Sequence, residues 1–185
     1  SELDEIRRRV EELIETDKDI LRRIAEEVRK ALEDNKKSLR ESEEEVRRLL
    51  EEIKKLADRG EPKRELLERL ERLLEELRKK VEENERRSKK LARELRERAK
   101  EIKKRSDDLN RELRKRMKEL IDRIDDEEMK KLLEDLLRKS EDSTRETRKR
   151  LKELLDRYEE VSKKIKKRHK ELIEELRKVI DDVRR

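Results

Sequence analysis

The sequence predicts an all-α fold: an antiparallel, up-down-up three-helix bundle, a coiled-coil-like rod of nearly straight helices. Three observations lead there. Apolar residues recur at steps of three and four from end to end, the period of an amphipathic helix. Gly and Pro occur once each in 185 residues, too few for the turns of an ordinary globular fold. Two breaks in the apolar pattern divide the chain into three parts of near-equal length.

Composition alone would suggest disorder, because 62% of the residues are charged and 29% hydrophobic. The charges nearly balance, however, with 60 basic and 54 acidic residues. A charge-rich composition with a strict helical period belongs to long helices and coiled coils.

Helix 1 is expected over 2–58, with Ser1 as its cap. Its stripe runs Leu3, Ile6, Val10, Leu13, Asp17, Ile20, Ile24, Val28, Ala31, Asn35, Ser38, Ser42, Val46, Leu49, Ile53, Leu56. The mean step is about 3.5 residues, which implies weak left-handed supercoiling. In the stretch LADRGEPKRELL, Gly60 can take the left-handed conformation that ends a helix and Pro62 suits the start of the next. Helix 2 is expected over 62–124. In IDRIDDEEMKKLL, Asp125 or Asp126 can cap helix 3, expected over 127–185, and Glu127 and Glu128 favour the positive end of its dipole. Each helix would span about 85–90 Å at ~1.5 Å per residue. Such short connections force antiparallel neighbours, so residues 1–185 read as a single domain. Second apolar neighbours such as Ile14, Leu21, Leu50, Leu67, Leu137 and Leu155 widen the apolar face, as a helix with two partners requires.

Asp17, Asn35, Ser38 and Ser42 interrupt the buried stripe. Placing Leu56 beside Leu67 and Ile124 beside Met129 sets a register along the helices. On it Asp17 falls beside Ser106, and Ser106 beside Thr147. Asn110 falls beside Ser143, with Ser140 and Thr144 a turn away. Asn35 falls beside Ser88, Ser38 beside Asn84, and Asn84 beside His169, with Ser162 close to Ser88. The interruptions thus coincide at two levels, separated by an apolar layer containing Leu95, Ala99, Tyr158 and Val161. A lone buried polar group costs a few kcal/mol (about 2–7 by transfer), whereas donors and acceptors at one level can satisfy each other. A slipped helix would leave them unpaired, so two buried networks would specify register.

No catalytic constellation emerges. His169 is the only histidine and Cys is absent, which excludes a multi-histidine or thiolate metal site. A Ser–His–acid arrangement fails because the register carries Asp17 to Thr147, far along the helix from His169. DRIDDEE lacks the glycine and ligand spacing of a calcium loop, and a single Gly makes no phosphate-cradling loop. The basic run KKIKKRHK, residues 163–170, reads as a solvated face with glutamates within reach rather than a nucleic-acid or lipid patch. No apolar run exceeds two residues, so neither a membrane span nor a cleavable signal peptide is expected.

Ser1 with Glu2, the lean turns RGEP and DDEE, the Glu/Arg/Lys-saturated surface and the aligned polar levels together resemble de novo designed long three-helix bundles with buried hydrogen-bond networks. Asp17 departs from the uncharged Asn, Ser, Thr and Gln that are easier to satisfy in such networks. The resemblance implies a thermostable structural scaffold without natural activity, cofactor or required partner, recombinantly expressed in a cytoplasm and monomeric. Two rival readings are an interaction module that takes up a partner helix or self-associates, and a natural spectrin-like or membrane-curvature module. The first requires that the second apolar neighbours be left uncovered. The second would bring a core Trp and shorter helices, or a one-sided basic face, and the chain has neither.

Overall fold

A computed structural model describes residues 1–60 and 62–185; Glu61, in the RGEP turn, lies outside the described residues. Three helices follow in order: α1 (Glu2–Asp58), α2 (Lys63–Arg123) and α3 (Glu127–Arg184). The ends fall within a residue of the expected ones, and the caps explain why. Ser1 Oγ accepts from the Asp4 amide at 3.3 Å while its carbonyl accepts from Glu5. Gly60 takes φ 74°, the left-handed conformation in which only glycine is unstrained, and its amide donates to the Ala57 carbonyl. Pro62 stands just ahead of α2 rather than within it. It has no N–H to lose, and its carbonyl accepts from Glu65 and Leu66. Of the two candidate aspartates, Asp126 caps α3, its Oδ1 accepting from the Glu128 amide at 3.0 Å.

The helices run up-down-up. Between α1 and α2, Arg9 meets Glu112 at 2.9 Å and Arg116 meets Glu5 at 3.5 Å, so one number falls as the other rises. Between α2 and α3, Glu85 meets Lys166 at 2.7 Å and Glu71 meets Arg184 at 2.6 Å, again antiparallel. Between α1 and α3, Glu43 meets Arg168 at 3.4 Å, and these two helices run parallel.

The chain packs as two compact units. The first comprises Ser1–Val28 and Arg93–Asp156, the second Arg29–Ala92 and Arg157–Arg185. The first unit's apolar cluster draws Ile6 and Val10 from α1, Leu113 and Met117 from α2, and Leu133 and Leu136 from α3. The second unit's cluster is larger and is built from Val46 and Ile53, Leu66, Leu70 and Leu77, and Leu172, Leu176 and Ile180. Each fully buried leucine contributes about 1.5–3 kcal/mol relative to an exposed one, so these clusters carry most of the stability. The interhelical ion pairs are solvent-exposed and contribute about 0–1 kcal/mol each.

Candidate functional site

Every polar residue expected in the core is buried or half-buried. The fourteen divide cleanly between the units. Asp17, Ser106, Asn110, Ser140, Ser143, Thr144 and Thr147 lie in the first; Asn35, Ser38, Ser42, Asn84, Ser88, Ser162 and His169 lie in the second.

In the first unit the centre is Asn110. Ser140 Oγ donates to Asn110 Oδ1, and Asn110 Nδ2 donates to Thr144 Oγ1 at 3.0 Å. Thr144 in turn donates its hydroxyl proton to the Ser140 carbonyl at 3.1 Å. That last bond fixes the rest, because a threonine hydroxyl with its proton committed can only accept from the amide. One carboxamide on α2 therefore grips two hydroxyls a turn apart on α3. Asp17 accepts from Ser143 Oγ at 3.3 Å, joining α1 to α3. Asp17 is 2% exposed, and burial pushes its carboxyl above the ordinary value, with the Ser143 bond opposing that shift. Ser106 and Thr147 are buried in the same unit.

In the second unit the centre is His169, 1% exposed. Its Nδ1 donates to the Ile165 carbonyl at 3.2 Å, since a carbonyl can only accept. The neutral tautomer then leaves Nε2 to accept from Ser42 Oγ at 3.3 Å. Burial pushes the imidazole below its ordinary value, opposed by the Ile165 bond; Lys80 nearby adds to the lowering and Glu43 opposes it. Asn84 Nδ2 reaches Ser38 Oγ at 3.5 Å, beyond the usual range for a hydrogen bond of full strength, while Arg87 donates to its Oδ1 at 3.4 Å. The buried Ser162 hydroxyl has no partner among the described residues.

Several pairings differ from the expected register. Asp17 meets Ser143 rather than Ser106, and His169 meets Ser42 rather than Asn84 or Ser38. Asn110 meets Thr144 and Ser140 rather than Ser143. No hydrogen bond joins Asn35 to Ser88 among the described residues. The α1–α3 discrepancy is about one turn and has a geometric origin. Only every third or fourth residue faces a given neighbour, so a pairing across one interface fixes height to about half a turn. Passing from α1 to α3 through α2 accumulates two such steps.

The basic run of α3 is met by carboxylates from all three helices. Arg168 lies 3.3 Å from Glu171, 3.6 Å from Glu175 and 3.4 Å from Glu43 of α1, and Lys166 lies 2.7 Å from Glu85 of α2. The cross-helix partners Glu43 and Glu85 were not singled out in the sequence; the register would have pointed to them, since both flank polar stripe positions. Among the described residues no group of three or more His, Asp or Glu side chains could hold a metal ion, and no helix is long and apolar enough to cross a membrane.

No protein family and no curated protein matches the sequence. Among solved structures, one match is a protein described as a computationally designed three-helix bundle. It shares 26% identity at a TM-score of 0.54, over 99% of this chain and 90% of that one. The chain resembles a designed three-helix bundle. The resemblance holds along nearly its whole length.

Proposed function

We propose that the chain is a structural scaffold without enzymatic activity, in which buried polar side chains fix how the three helices are set against one another. Its similarity to a designed three-helix bundle supports the scaffold reading. The observation that carries the finer reading is the Asn110 grip on Ser140 and Thr144. Leucine layers look alike after a slide of one turn, whereas Asn110 slid by one turn would lose one of its two α3 partners and leave a buried polar group unmatched. Residues 1–185 act as one domain on this reading, and calorimetry is expected to record one transition with equal calorimetric and van't Hoff enthalpies.

The test replaces Asn110, Ser140 and Thr144 together by leucine. Spin labels at the exposed positions Lys118 and Arg138 then report the α2–α3 register by electron–electron distance. A single narrow distance is expected for the parent. A broadened or split one is expected for a variant that stays folded and melts no lower. An unchanged narrow distance would overturn the register role.

No partner is required on this reading, and the chain is a monomer. Ile14 and Leu137 pack against the first unit's cluster, and Leu50 and Leu67 against the second's. Leu132 is the large apolar side chain left exposed among the described residues, at 37%. A doubled mass in small-angle scattering would instead favour an interaction module.

A further inference from the structure

Beyond the scaffold reading, the first unit carries a groove of about 380 Å³ between α2 and α3. That volume is at the lower end of small-molecule sites, roughly 300–1,000 Å³. Its floor is Ile24, Leu95, Ala99, Leu151 and Leu155. Ala99 opens it, standing where neighbouring positions of the α2 stripe carry Leu95 and Ile102. Its rim is cationic: Arg96, Lys100, Lys103, Arg148 and Lys152 line it, and no carboxylate does. Arg148 is committed to Asp107 and to the Lys103 carbonyl, and Lys100 lies 3.9 Å from Glu97. Lys103 of α2 and Lys152 of α3 are exposed and form no ion pair among the described residues.

We propose that this groove binds one free, single-chain anionic amphiphile, its alkyl chain along the floor over Ala99 and its head group between Lys103 and Lys152. The complementarity is twofold: an apolar floor with the volume to take an alkyl chain, and positive charge of both flanking helices at its edge. A neutral apolar ligand would leave the lysines unused, and a cationic one would be repelled.

The experiment is isothermal titration of the intact chain with dodecanoate below its micelle concentration, beside dodecyltrimethylammonium. Saturable binding of one dodecanoate per chain is expected, with the cationic amphiphile much weaker. Ala99→Leu, which fills the floor without touching the charges, is expected to abolish binding while the helical circular dichroism stays unchanged. Should that variant fail to fold, Lys103→Glu with Lys152→Glu decides, since both residues are exposed. It is expected to weaken dodecanoate about tenfold or more and to bind the cation better, the contrast shrinking at high salt. The proposal is overturned by non-saturable uptake, by equal affinity for the two amphiphiles, or by undiminished binding in either folded variant.

Discussion

The two compact units share one chain, one composition and one helical order, yet they bury polarity differently. The first places a carboxylate in its interior beside a half-buried carboxamide, and that carboxamide is held by two hydroxyls of α3 at close range. The second buries an imidazole whose bonds run to its own helix and to Ser42 of α1, and its carboxamide, Asn84, is half-buried and loosely held. The second unit offsets this with the larger leucine cluster. A polar group inside a helical bundle is therefore not one device. Its worth depends on how many of its valences the neighbours fill.

The sharpest way to break the comparison is to remove each carboxamide. Asn110→Ala leaves the buried Ser140 hydroxyl without its acceptor and is expected to cost about 2–3 kcal/mol. Asn84→Ala is expected to cost less than about 1 kcal/mol, because both of its hydrogen bonds are already long. Urea midpoints decide, and equal losses would mean the two sites are equally tight. The turns come next. Gly60→Val at φ 74° is expected to cost about 1–2 kcal/mol of backbone strain, since nothing lies within 4 Å of the added Cβ to make a clash. Asp126→Ala at the other turn is expected to cost about 1 kcal/mol through the lost cap; thermal melts of the two variants give the order.

Acidification separates the units by sign. Asp17 has its carboxyl raised by burial, so the folded first unit holds the proton more tightly than the unfolded chain does. Its contribution is complete below the ordinary value of 3.8 and is lost as pH rises through the folded value. His169 has its imidazole lowered, so its contribution is present above 6.5 and is lost as pH falls through the folded value. Asp17→Asn is accordingly expected to raise the melting temperature at neutral pH, with the gain vanishing well below pH 3.8. His169→Leu is expected to remove the loss of stability that the parent undergoes on going from above pH 6.5 to below it. Melting curves across pH for both variants check this, and a same-signed response would contradict the assignment of either group. The smallest effect is reserved for salt. Raising it should move stability by less than about 1 kcal/mol in either unit, because the ion pairs are exposed and individually weak; denaturation curves in low and high salt measure it.

Much of this fold was legible in the sequence because helix signals are local. Gly60, Pro62 and Asp126 act within a turn of themselves, and the stripe from Leu3 to Leu56 needs no knowledge of its neighbours. The burial of Asp17, Ser42 and His169 was legible for the same reason, each falling on the apolar period. Partnership was less so. Which hydroxyl meets Asp17 depends on rotation and rise across two interfaces, and an error of one turn exchanges Thr147 for Ser143. The groove over Ala99 escaped notice because a small residue in an apolar stripe looks like packing until the flanking helix is placed beside it.

Asn110 touches α3 at two points four residues apart, and this spacing behaves like a two-letter address. Slide α3 by one turn in one direction and the carboxamide would read Leu136 and Ser140; slide it the other way and it would read Thr144 and Arg148. Either misreading spoils one letter while keeping the other, so a wrong alignment is detected and is not merely less favourable. A chain whose leucines repeat too faithfully to tell one turn from the next thus carries, at a single side chain, an error check on its own assembly.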